Sequence, residues 1–264
     1  MSKIVDLSNE GWMKHKPPKH RDIRINSHKF WKLSAAQDER QERIRILKKA
    51  PGKTSQRLVK ALIEPPPRKP ASVGCCPLLA RRFQVFFSSR ALRVAELQAD
   101  DGVRYTLLDA ADAVPFGKLD TVNWSKLHMK LRRRLERHLG PNVVVYGMGE
   151  VEADDTRGVW QPHHHLTIHG VTDDGLKSLR KRHYKATRTG IRPMVKSKPQ
   201  DLGTWLSYNS KLVAFAKTPG IGPSHRGRLT NYQSWEYFRY LSRNRPTSFV
   251  FSMNCRIVRS SEGE

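Results

Sequence analysis

The chain has 264 residues, which suits one substantial core with an appendage better than two large domains. Its 49 Lys and Arg against 24 Asp and Glu give a formal net charge of +25, pointing to a polyanionic partner; binding by counterion release favours nucleic acid without separating DNA from RNA. No apolar run approaches the roughly 20 residues of a membrane span, and residues 1–16 lack the apolar segment of a secretory signal, so a cytoplasmic protein with no membrane partner is expected.

In chain order, residues 1–32 are basic and proline-containing, with Trp12, Phe30 and Trp31 as their large anchors, and read as an arm. Ser34 with Gln37 resembles a capping box ahead of a helix over 35–49, where Ile44 and Leu47 form an apolar stripe. Thr54 or Ser55 is positioned to cap a second helix carrying Leu58, Leu62 and Ile63. Pro65-Pro66-Pro67 must end it, because proline removes the amide donors a helix needs, and 65–70 reads as a linker. The expected division is therefore a basic extension with short helices over 1–70 and a functional domain over 71–264. Cys75 and Cys76 are adjacent and Cys255 is distant, which fits neither a disulfide framework nor a zinc pair.

Residues 82–87, Arg-Phe-Gln-Val-Phe-Phe, are apolar enough for a buried strand, and 103–108 is a second strand candidate. Trp124, Leu127, Leu131 and Leu135 recur at three- and four-residue spacing on one face of a helix whose other faces carry Lys126, Lys130, Arg132, Arg133, Arg134 and Arg137. Gly140-Pro141 ends it. Residues 143–151 are β-rich and pair, across a polar turn at 153–158, with the strand Pro162-His163-His164-His165-Leu166-Thr167-Ile168-His169. Thr172 or Asp173 caps a short helix through Leu176 and Leu179, followed by a basic run in which Arg180, Arg182 and Lys185 join Lys126, Lys130 and Arg133 as candidate phosphate contacts. A strand is expected near 191–195, helices over 202–216 and 231–241, and a strand over 247–258. Tyr232, Trp235, Tyr237, Phe238 and Tyr240 read as packing or base-stacking aromatics.

The chemistry concentrates on the histidine strand. Side chains at i and i+2 share a strand face, so His163 and His165 emerge together while His164 joins Leu166 and Ile168 on the buried side. Thr167 and His169 continue the functional face, His169 as a hydrogen-bonded strand end. Hairpin pairing brings a carboxylate from the preceding strand beside the imidazoles; Glu150 and Glu152 share parity, and register decides between them. Two imidazoles and one carboxylate suit Mg²⁺ or Mn²⁺ with positions open for phosphate oxygens, although imidazole would bind Zn²⁺ more tightly.

Gly149-Glu150-Val151, Trp160 and Pro162-His163-His164-His165-Leu166 resemble the Glu, Trp and Pro-His-x-His-hydrophobic pattern of rolling-circle replication initiators, the single-tyrosine plasmid-type Rep proteins of the HUH endonuclease superfamily. The likeness spans roughly 103–217. His164 departs from it, since the family places a hydrophobic residue there. The resemblance implies an α+β fold with a central antiparallel sheet, an RRM-like or ferredoxin-like palm, and helices packed on one face. It also implies a nucleophile in a Tyr-x-x-Lys pattern, which Tyr208 and Lys211 match, with Tyr184 as a rival. The expected activity is metal-dependent nicking and joining of single-stranded or hairpin origin DNA through a 5′-phosphotyrosine, with a host helicase and polymerase as further partners. The competing expectations are a transposase or mobilisation relaxase of the same superfamily, a water-using metal hydrolase, and a non-catalytic basic nucleic-acid-binding protein.

Overall fold

In the computed structural model, which describes residues 32–64, 74–186, 192–197, 201–217 and 227–255, three helices come first: α1 (Leu33–Lys49), α2 (Lys53–Ile63) and α3 (Pro77–Glu96). They are followed by β1 (Val103–Leu108), the short β2 (Val114–Pro115), α4 (Trp124–Leu139), β3 (Val144–Asp154), β4 (Val159–His169), α5 (Asp173–His183) and β5 (Met194–Lys196). Last come α6 (Leu202–Asn209), β6 (Ala216–Lys217), α7 (Asn231–Arg243) and β7 (Val250–Met253). The expected arm at 1–32, except Lys32, and the linker at 65–70 lie outside the described residues.

The described strands form one sheet with the order β5-β1-β4-β3-β6, β2 adding to β4 and β7 to β3. Setting the short β2 aside, β1-α4-β3-β4-α5-β5 is a βαββαβ unit, and its four strands stand in the order last, first, third, second with every neighbour antiparallel. That is the split βαβ, ferredoxin-like arrangement, so the expected α+β palm is present. Among the described strands only the two-residue β6 pairs in parallel, with β3.

The two palm helices share one side of the sheet. Leu131 and Leu135 of α4 and Leu176 and Leu179 of α5 form one buried cluster with Leu107, Val145, Leu166 and Ile168. Gly140, at φ +88°, terminates α4, and the Thr172 hydroxyl accepts from the Gly175 amide to start α5. The opposite side is covered as well, by helices from outside the palm. α1, α2, α3 and α7 pack in a larger cluster that takes in Leu47, Leu62, Phe83, Tyr240, Tyr146, Met148 and Trp160. The core thus crosses the division expected at residue 70, and α1 and α2 are part of it. Cys75, Cys76 and Cys255 are buried thiols.

Several local expectations need correction. Residues 82–87 are helical, the middle of the 20-residue α3, whose first turn accommodates Pro77. An apolar run of six residues has no period of its own, and burial of several faces of α3 explains why no alternation shows. α1 begins at Leu33 behind Lys32, with no side-chain cap from Ser34, and α2 starts behind Gly52 rather than Thr54 or Ser55. The helix expected over 202–216 stops at Asn209, where the chain turns through Leu212 at φ +49°. Between 246 and 249 the chain makes a 3-10 turn, which leaves β7 only four residues long.

Candidate metal centre and its surroundings

The β3–β4 register decides the choice between the two glutamates. Glu150 lies directly opposite His163, whereas Glu152 lies opposite Gln161. Directly paired residues project to the same face, so Glu150, His163 and, two residues on, His165 converge. Glu150 Oε2 is 3.0 Å from His165 Nε2 and 3.5 Å from His163 Nε2, and the two Nε2 atoms are 3.1 Å apart. Glu152 is outside this triangle.

The donor set fits a single divalent cation. Bonds of about 2.1 Å at angles between square and tetrahedral separate donor atoms by roughly 3.0–3.5 Å, which is the span of the three edges. The far nitrogen of each ring is also held. His163 Nδ1 lies 3.3 Å from the Gln161 carbonyl, and His165 Nδ1 lies 2.9 Å from the Thr106 hydroxyl. A carbonyl can only accept, so the His163 contact requires a proton on Nδ1 and leaves the Nε2 lone pair for a metal. Thr106, opposite His165 on β1, can set the same tautomer for the second ring. It shares the face of His165 and was legible as such only once β1 was known to pair with β4.

Electrostatics support the grouping. Burial alone would raise the Glu150 pKa, yet hydrogen bonds with His163 and His165 and the charge of Lys211 hold it well below the ordinary carboxylate range. His163 moves the other way: burial favours its neutral form, but Glu150 and Glu152 raise its pKa. Glu152 therefore acts on the site through its field.

The expected nucleophile helix reaches this face. Trp205 of α6 sets its ring edge-on to His165, with centroids 5.5 Å apart, and one turn later Tyr208 is half-buried. Lys211 lies beyond the end of α6, so its proximity to Tyr208 does not come from helical i, i+3 spacing. The chain folds back after Ser210, placing Lys211 Nζ 3.3 Å from the centre of the Tyr208 ring and 4.4 Å from that of Phe215. α7 contributes Tyr237, whose phenol is pushed well above its ordinary range first by burial and then by the Glu150 carboxylate. Glu150, His163 and His165 are each less than a tenth exposed, so the functional face is a covered one.

Strand parity places His164 on the other face as expected. There it lies among Trp124, His128 and Phe251, with its Nε2 buried and without a hydrogen-bond partner among the described residues. Burial, then the neighbouring imidazoles, holds its pKa well below the ordinary histidine range. Tyr184 is buried on that same side, packed with α4 and α5 beneath Arg134, so the sheet separates this rival nucleophile from the Glu150–His163–His165 cluster. His169 is tied down as a strand end, between the Tyr146 hydroxyl at 3.0 Å and Asp100 at 2.7 Å.

The candidate phosphate contacts also belong to the α4–α5 layer. Lys126, Arg133, Arg180, Arg182 and Lys185 are exposed there. Lys130 is instead paired with Asp109 at 2.8 Å and Asp112 at 2.7 Å, so two carboxylates already engage its charge. Trp235 is half-buried and Tyr232 exposed at the start of α7, whereas Tyr237, Phe238 and Tyr240 are core. Among the described residues no helix is long and apolar enough to cross a membrane. Comparison with protein-family models, curated proteins and solved structures returns no match.

Proposed function

We propose that this protein is a divalent-metal-dependent strand transferase that nicks and rejoins single-stranded DNA through Tyr208, as initiators of rolling-circle plasmid replication do. The observation that carries the reading is the triangle of Glu150, His163 and His165 on one sheet face, with Tyr208 and Lys211 on the segment packed beside it. These three residues would hold Mg²⁺ or Mn²⁺, and the ion would supply Lewis-acid polarisation of a phosphate oxygen and fix the DNA backbone.

The protein's own residues account for the rest. Tyr208 is a weak nucleophile at neutral pH because a free phenol titrates near 10. Lys211, whose ammonium sits against its ring, favours the charge that develops on the phenol oxygen and on phosphate. In the transfer, a bond forms between the Tyr208 oxygen and phosphorus, the phosphorus–O3′ bond breaks, the phenol proton passes to solvent and the leaving 3′-oxygen takes up a proton. The 5′-phosphotyrosine conserves the phosphodiester energy, so a 3′-hydroxyl can reverse the step. The exposed cations of α4 and α5 lie across the sheet from this centre and serve flanking DNA, not the cleaved phosphate.

The test is incubation of the full chain with a randomised single-stranded DNA pool and Mn²⁺, followed by denaturing electrophoresis. A protein–DNA band resistant to denaturant, absent with EDTA, is the expected result; no band at any metal concentration refutes strand transfer. One observation favours a second reading. The ligand trio is less than a tenth exposed, as a structural ion in a non-catalytic nucleic-acid-binding protein would be. In that case EDTA lowers the melting temperature while the DNA stays uncut with or without metal.

A further inference from the structure

One buried charge outside the palm touches the loop that carries Lys211. Arg43 of α1 is fully buried, and its guanidinium reaches several described parts of the chain. Nε donates to Glu39 at 3.2 Å, Nη1 to the Cys75 carbonyl at 2.8 Å and Nη2 to the Leu212 carbonyl at 3.2 Å, while the Phe238 ring of α7 lies 4.9 Å away. Leu212 is one of two non-glycine residues with positive φ among those described, and it directly follows Lys211. A leucine in the left-handed region costs of the order of 1–2 kcal/mol and persists only when its surroundings hold it. The Arg43 fork is a side-chain donor to that carbonyl, and on the other flank the Ser210 hydroxyl donates to Leu206. α3 adds a further tie, from Gln84 to the Ser207 carbonyl.

We propose that Arg43 is a positioning residue for strand transfer. By gripping the Leu212 carbonyl it holds the reverse turn that returns the Lys211 ammonium to the Tyr208 ring. This assigns the first helix, which the resemblance to replication initiators does not cover, a part in the reaction. It rests on Lys211 and Tyr208 acting in strand transfer. Lysine cannot replace arginine here, since an ammonium on a shorter, unforked stem does not span two carbonyls and a carboxylate at once.

The experiment is a double-mutant cycle in the full chain, with Arg43→Lys, Lys211→Gln and the combination, read as single-turnover adduct formation at saturating DNA and Mn²⁺. Displacing a catalytic group by about an ångström costs about 100-fold, so R43K is expected to slow adduct formation by about 10- to 100-fold with DNA affinity unchanged. In the K211Q background the same change is expected to cost less than about 2-fold, because Arg43 acts through Lys211. An equal loss in both backgrounds, or no loss in either, overturns the proposal. If R43K does not fold, Arg43→Gln with Glu39→Gln, which neutralises both members of the pair, takes its place. If the wild-type chain forms no adduct, the strand-transfer reading fails by itself, and amide exchange at 210–213 still decides the positioning. Faster exchange there in R43K, with α4 and α5 unchanged, supports it; identical exchange refutes it.

Discussion

His164 offers the sharpest test of the strand parity on which the site depends. It is buried against Trp124, His128 and Phe251, and its Nε2 finds no partner among the described residues. An unpaired buried polar group costs about 1–3 kcal/mol, so His164→Leu, close to isosteric and apolar, is expected to stabilise the protein by that amount at pH 7.5. The pH dependence follows the same logic. Burial, reinforced by Arg132, pushes the His128 pKa down to about 4, and His164 also lies well below its ordinary value. A group whose pKa is depressed on folding binds its proton more readily in the unfolded chain. Stability is therefore full above the unfolded histidine pKa of about 6.5 and falls as pH drops through the window to about 4. For His128 that window corresponds to about 3 kcal/mol. Urea midpoints of the wild type and H164L at pH 7.5 and pH 5 measure both effects. A destabilised H164L at pH 7.5, or one that loses as much stability at pH 5 as the wild type, refutes the reasoning.

Other consequences can be checked separately. Glu150→Gln is expected to abolish Mn²⁺-dependent thermal stabilisation, which for a site filled at 100 times its Kd is about 2.7 kcal/mol, while Glu152→Gln keeps most of it; differential scanning fluorimetry with and without metal separates them. Exchanging Arg133, Arg180 and Arg182 for Gln should lower the slope of log affinity against log salt by about 0.7 per lost phosphate contact on single-stranded DNA and leave the rate at saturating DNA within about 2-fold. Lys130→Gln should leave that slope alone and cost stability, because Lys130 serves Asp109 and Asp112. Gly147 is a close-approach position: a Cβ there would meet the His165 carbonyl oxygen at 1.9 Å. Gly147→Ala is thus expected to destabilise by about 1–3 kcal/mol and to weaken Mn²⁺ binding, measured by urea titration and calorimetry.

What was legible in the sequence follows the regular periods. Alternation along a strand separated His163 and His165 from His164 without any tertiary information, and the apolar stripe from Trp124 to Leu135 gave α4 and its basic outer faces. Parity could not choose between Glu150 and Glu152, because both satisfy it and only the pairing register with β4 distinguishes them. The same limit applies to the cations of α4 and α5. A helical stripe tells which face packs but not on which side of the sheet, so their separation from the Glu150–His163–His165 cluster became visible only with the topology. Lys211 was matched by spacing, yet it meets Tyr208 through a left-handed turn at Leu212 that no local signal marks. The covering of the functional face by α6 and α7, and the burial of Arg43 in a helix rich in exposed charge, are properties of long-range packing.

Under the proposed function, Tyr208 attacks phosphorus beside the Glu150–His163–His165 cluster. The most direct measurement is mass-spectrometric mapping of the protein–DNA adduct formed with Mn²⁺, after nuclease and protease digestion, alongside Tyr208→Phe. The expected result is a phosphonucleotide on the peptide containing Tyr208 and no adduct from Y208F. A modified tyrosine elsewhere, or an adduct undiminished in Y208F, contradicts it.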